Sequence, residues 1–510
     1  MKRFFILSLF LLFCFSKYTL ANNLTVTSPV LVGPNASSDY VNVKFDISWD
    51  NSWRTSSAPN NWDAAWVFVK FKVGSGEWQH ATISSIGHTA PSGGTITPSS
   101  DTTGVFIYRD ANGTGSVNFQ NVLLRWNYGA NGVSDNAQVT VKVFGIEMVH
   151  VPQDSFYVGS GGTEPGSLTN GSWTSGISIP LKITSESALT VGQSSGNIWT
   201  IGNGAVDGSV GSSGSISASF PKGFQAFYCM KYSVSQEQYR DFLNMLTYTQ
   251  QASRTTNAPN SGSGTFAMPP STDHGRNGIR IQTNGVSTTT PAVYACDASE
   301  DAGMNESNDG QTLSCSWLSW GDGIAFSDWT GLRPISELEF EKACRGPSSA
   351  VAGEYAWGNA SATAATATTN NRQVNETVSA PSGANVNYND VPLYPIRVGI
   401  FATASSTRPQ AGASYYGIMD MSGDLWERVV SINDAGRGFS GSHGNGVLDS
   451  NGDETGNSDW PGTGASGAGF RGGTWDGPYI NISNRYIGTL TSSTRGDKGT
   501  RGFRSVRTAP

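Results

Sequence analysis

The sequence predicts a two-part chain: an all-β sandwich over residues 24–146, then an α+β unit with much irregular structure over 147–510. Three observations predict it. Short alternating or apolar runs, separated by Gly, Asn and Ser turns, fill the first part. Capped helical stretches occur only in the second part. Only 14% of residues are charged while glycine reaches 62, a balance that suits loop-rich extracellular β structure.

Met1 to Ala21 reads as a secretory signal peptide, with Lys2 and Arg3 as the charged start, Phe4 to Phe15 as the apolar stretch and Thr19-Leu20-Ala21 as the cleavage site. Cys14 falls inside it. The apolar run is too short for a mature transmembrane helix, and no later segment is a candidate. The expectation is an exported soluble or surface-attached protein. Losing Lys2, Arg3 and Lys17 takes the formal charge from −7 to about −10. An acidic chain without Lys/Arg clusters is unsuited to phosphate backbones, so no nucleic-acid partner is expected.

In the first unit, Val41 to Ile47 alternates as a half-buried strand should, and Trp66 to Phe71 reads as a fully buried one. Val105–Tyr108, Val122–Trp126 and Val139–Phe144 continue the series. Trp49, Trp53, Trp62 and Trp78 have two readings: a sugar-binding face, or packing residues.

The second unit opens with strands at Glu147–Pro152 and Ser155–Gly159. Residues 160–219, rich in Gly, Ser and Thr, read as an insertion carrying a few strands. Ser235 and Gln238 form a capping box ahead of Tyr239, Phe242, Leu243 and Leu246. A second helix starts near Ser319 and stops at Gly331. A third follows Pro334, with Ser336 as its cap and Glu339 as the partner.

Cys229, Cys296, Cys315 and Cys344 follow the signal peptide, and an even count in an exported chain permits disulfides. Cys296–Cys315 would close one loop; four buried free thiols is the other reading. No Cys/His spacing suggests zinc. His80, His88, His150, His274 and His443 are scattered, without the spacing of a metal triad.

Five motifs in order carry a family resemblance: Lys231 to Tyr239; Gly331 to Ala343, with Phe340 where Trp is usual; Tyr355-Ala356-Trp357-Gly358; Gly417 to Glu427; and Phe470 to Trp475, followed by Asn484-Arg485-Tyr486 and Arg501-Gly502-Phe503-Arg504. Together they resemble the formylglycine-generating enzyme, or sulfatase-modifying factor, family. The resemblance covers 147–510 and implies a C-type-lectin-like fold. It also implies oxidation of a client cysteine with oxygen and copper, by a cysteine pair soon after the Gly-Gly. Trp475 to Pro510 contains no cysteine, so no thiolate there can hold soft Cu(I), and no copper is expected.

The resemblance further implies structural Ca²⁺ at Asp420 and Glu427 by side chain and at Gly423 and Leu425 by carbonyl, an oxygen set that suits a hard cation. The alternative is a turn in which Glu427 pairs with an arginine such as Arg504. The same fold and ending resemble variable proteins diversified by retroelements, whose corresponding segment binds ligand. That analogy assigns Trp475, Asp476, Tyr479, Asn481, Ser483, Asn484 and Tyr486 to a ligand face, against ordinary surface polarity. Arg485 and Arg504 are expected to tie the terminal strands to core carboxylates instead. The sequence thus predicts an exported, non-catalytic binding or structural module that offers this loop to an extracellular protein or glycan. The competing expectation is a metal-dependent oxidase, or another enzyme of the family, acting on a peptide or small molecule.

Overall fold

The computed structural model describes residues 23–173, 178–202, 204–269, 275–300, 303–304, 306–389, 394–496 and 498–510. The expected signal peptide (1–21) and His274 lie outside them. Among the described residues no helix is long and apolar enough to cross a membrane.

The chain is strand-rich, with four α-helices among the described residues. In the first unit the Tyr40–Arg54 strand alternates as expected, burying Val41, Val43, Phe45, Ile47 and Trp49 on one face. It pairs antiparallel with Gly113–Trp126, which buries Val117, Phe119, Val122, Leu124 and Trp126. Facing them is the Asp63–Val73 strand, whose two faces serve different cores. Ala65, Val67, Val69 and Phe71 complete the core of the first unit. Ala64, Trp66 and Phe68 enter the core of the second, where Trp66 Nε1 donates to the Thr330 carbonyl at 2.8 Å. Burial on both faces explains the apolar run from Ala64 to Val69.

The expected boundary at 146/147 falls inside a strand, Val139–Val151. Its length pairs with Asp63–Val73 from Val139 to Val149, and its end pairs with Phe227–Met230. One eight-stranded sheet therefore runs from Gly94–Pro98 in the first unit to Ser505–Thr508 and Arg333–Pro334 in the second. The two units share a sheet and are not beads on a linker.

Each helix opens with a capping box. These are α1 (Gln236–Leu243, cap Ser235), α2 (Tyr248–Arg254, cap Thr247), α3 (Trp320–Thr330, cap Ser319) and α4 (Glu337–Arg345, cap Ser336). Such a cap stabilises a helix by about 1 kcal/mol. Gly331 ends α3 in the left-handed conformation, with φ 72°. Every residue of α3 is buried, so its neighbours on all sides, rather than one apolar stripe, hold it. The 160–219 stretch carries short strands, among them Leu168–Asn170, Leu189–Val191, Ile198–Thr200 and Gly214–Ile216 in one sheet.

Candidate functional site

The C-terminal motifs converge on α4 and on a three-stranded sheet of Ala468–Arg471, Trp426–Val430 and Arg501–Gly502. Glu337, Glu341 and Arg345 project from one side of α4 at successive i, i+4 positions. Arg471 Nη2 donates to Glu341 Oε1 at 2.5 Å, and Arg485 Nε donates to Glu337 Oε2 at 2.6 Å. Arg345 donates to Glu354 Oε1 at 2.5 Å and to Glu341 Oε2 at 3.2 Å. These side chains are essentially sealed from solvent. Three arginines face three glutamates, so the buried charge balances, as burial demands. The two neighbouring arginines hold the Glu337 carboxyl below its usual range despite burial.

Arg504 makes the second lock. Its Nε reaches both Glu427 oxygens at 2.8 and 2.9 Å, its Nη2 reaches Oε1 at 2.6 Å, and Ser233 Oγ donates to the same carboxylate at 2.9 Å. The expected structural roles of Arg485 and Arg504 are what these contacts describe.

This pairing bears on calcium. Glu427 is already neutralised by Arg504 and crowded by donors, so a cation there would compete with a guanidinium for one carboxylate. Gly423 (φ 84°) supplies a tight turn: a Cβ on it would lie 2.5 Å from the Asn387 carbonyl. Leu425 is buried against Gly502. Asp420 Oδ2 accepts the Gly399 N–H at 2.8 Å. Among the described residues no three His, Cys, Asp or Glu side chains gather as a metal-holding group. The residues do not fit a calcium held through Glu427, and the Glu427–Arg504 alternative describes the site. Calcium or a chelator should accordingly leave the melting temperature unchanged; a rise with calcium would contradict this, because a ligand of the native state alone must stabilise it.

Burial and the nearby Asp424 carboxylate raise Asp420 from 3.8 to about 7. The folded state therefore holds this proton more tightly than the unfolded chain, so stability falls as pH rises from about 4 to about 7. Asp420→Asn removes that loss while keeping an acceptor for Gly399. It should melt higher than wild type at pH 8 and alike at pH 3, and equal melting at both would refute the cause.

The loop residues divide. Ser483 is buried, donating to Glu341 and accepting from Arg345 Nη2. Asn484 is buried too: its carbonyl accepts from Arg471 and its Oδ1 from the Tyr486 N–H. Trp475 is only 5% exposed and packs on Tyr394, with ring centroids 4.8 Å apart. These three are structural, which corrects their assignment to a ligand face. The remaining four are half-buried at the surface. Tyr479 and Tyr486 stack, with centroids 3.9 Å apart and planes 9° from parallel. Asn481 donates to the Gly353 carbonyl at 2.6 Å, and Asp476 faces Lys498 at 3.7 Å. Tyr355 and Tyr388 are half-buried nearby, Tyr355 meeting Asn481.

Two segments fix this loop. Gly423 N–H donates to the Gly472 carbonyl at 2.8 Å, and Trp475 N–H to the Asp424 carbonyl at 2.9 Å. The 160–219 stretch reaches in from the other side: Val206 and Asp207 N–H groups both donate to the Tyr486 carbonyl at 3.0 Å. Asp424, which the sequence reading passed over, takes hydrogen bonds from Ser314 Oγ, Asn387 Nδ2 and the Ile396 N–H. Its place two residues after Asp-Met-Ser in the Gly-Asp-Leu-Trp-Glu run was the available signal.

The four cysteines among the described residues are buried and free, with no bond between Cys296 and Cys315. Cys296 ends the Val293–Cys296 strand and Cys315 packs in the main core, and burial pushes both thiols up. Of the described histidines, His150 stacks on Trp62 with ring centroids 3.9 Å apart, and His443 Nε2 accepts the Thr508 N–H.

Residues 214–509 match the family model of the sulfatase-modifying factor enzyme 1-like domain (FGE-sulfatase), which is more than half of the chain, and the protein belongs to this family. No curated protein sequence matches it.

Proposed function

We propose that this is an exported, non-catalytic member of the family, a C-type-lectin-like binding or structural module. It presents the surface of the 475–500 segment to an extracellular protein or glycan. The observation that carries the reading is the stacked Tyr479–Tyr486 pair beside Asn481 and Asp476. Aromatic rings ordered before binding offer contact area at low entropic cost, and short polar neighbours supply hydrogen bonds. The loop has backbone support on both sides, from the Gly423–Asp424 turn and from Val206–Asp207, so the platform is preorganised. The chemistry of the resembling oxidases has no sulfur here, since Trp475 to Pro510 holds no cysteine.

Tyr479→Ala and Tyr486→Ala, singly and together, test this. Capture of the extracellular ligand should weaken at least ~tenfold for each, in the range of an interface aromatic. Melting should stay near wild type. Undiminished capture by the double variant would move the binding face elsewhere.

A further inference from the structure

A second recess lies where the two units meet, and none of the loop residues lines it. It has a volume of about 620 Å³, within the usual range for small-ligand sites. One wall comes from the first unit, with Trp53 and Thr114; the other comes from the second, with Tyr232, Arg408, Tyr415 and Tyr416. Asn61 ties the walls together. Its Oδ1 accepts from Trp53 Nε1 at 3.2 Å and its Nδ2 donates to the Tyr416 carbonyl at 2.8 Å. The two walls are thus joined by hydrogen bonds through one side chain.

Its lining chemistry is specific. Four aromatic side chains stand among Ser, Thr and Asn groups, and among the described residues no carboxylate lines it, although the chain is acidic overall. Two cations do. Lys231 is neutralised by Glu147 at 2.9 Å. Arg408 has no ion-pair partner among the described residues: it donates to the main-chain carbonyls of Ala356 at 2.7 Å and of Cys344 and Ala413 at 3.3 Å, and its guanidinium lies 5.5 Å from the centre of the Tyr415 ring. A guanidinium without a carboxylate partner, at the wall of a carboxylate-free cleft, favours an anion. Aromatic faces carry negative charge and attract the polarised C–H groups of a sugar ring, while short polar side chains meet its hydroxyls.

We propose that this cleft binds an acidic carbohydrate, one uronic-acid residue of a glycan, with Arg408 receiving the carboxylate and the Trp53 and Tyr415 side chains packing on the ring. Trp53 thereby takes the sugar-facing role, while Trp49 lies in the core, donating to Asp63 Oδ2 at 2.8 Å.

Titration calorimetry of the full chain with trigalacturonate and with maltotriose tests the proposal. Trigalacturonate should bind at least ~tenfold tighter than maltotriose. Its affinity should fall as salt rises. Arg408→Gln should abolish the difference between the probes. Thr114 is exposed at the mouth on the Gly113–Trp126 strand, so Thr114→Trp plugs the cleft with a residue that strands accept. It should fold and melt like wild type and bind neither probe. Failure of both probes to bind wild type, equal affinity for the two, or unaltered binding by Thr114→Trp would each overturn the proposal.

Discussion

Glu337→Ala is expected to destabilise the protein by about 3–5 kcal/mol, the cost of breaking a buried ion pair by removing one partner. Whole domains are stable by only ~5–15 kcal/mol, so this one change threatens folding. The reason lies in what remains. Arg485 would keep its carbonyl contacts to Gly166 and Gly208 but lose the Glu337 carboxylate, and the Ile432 N–H would lose its acceptor at 2.7 Å. Both are sealed from water, so the lost partners are not replaced. Urea unfolding measures the effect. Arg485→Met should cost nearly as much, and Glu337→Ala combined with Arg485→Met less than the sum, with a coupling of at least ~1 kcal/mol. Strict additivity would mean that the pair does not act as a unit.

Trp66→Ala should cost about 3–5 kcal/mol, the range for emptying a large aromatic site in a core. The indole is fully buried, contacts Phe106 at 4.9 Å, lies under the Arg507 guanidinium at 4.5 Å and bonds to the end of α3. Because its strand is shared by both cores, the loss should reach both units. Calorimetry should show one unfolding transition, moved down as a whole. Two transitions, one of them unmoved, would mean that the shared sheet does not couple the units.

Much of this architecture was legible in the sequence, and the exceptions have physical causes. α1 and α4 could be read because each has a capping box before a recognisable helical run, and α3 from its Ser319 start and Gly331 stop. α2 has the same box, Thr247 with Gln250, but its body Tyr-Thr-Gln-Gln-Ala-Ser-Arg lacks an apolar stripe to mark it. The strand Asp63–Val73 was legible because burial on both faces leaves an apolar run. The hand-over within Val139–Val151 was not, since a strand that changes partners keeps its alternation. In the loop, Ser483 and Asn481 look alike as residue types; only the convergence of Glu341 and Arg345, more than a hundred residues earlier, buries the first. Glu427 is similar: as a residue type it suits calcium or arginine equally, and the arrival of Arg504 decides. The cysteine spacing allowed a closed loop, whereas the thiols are buried and unbonded.

On the proposed reading, the family scaffold here serves binding and not oxidation. The most direct test is to load the purified protein with Cu(I), measure bound metal, and follow a cysteine-bearing peptide under air by mass spectrometry. The expected result is no stoichiometric copper and an unaltered peptide thiol. Stoichiometric copper together with conversion of the cysteine to an aldehyde would contradict it.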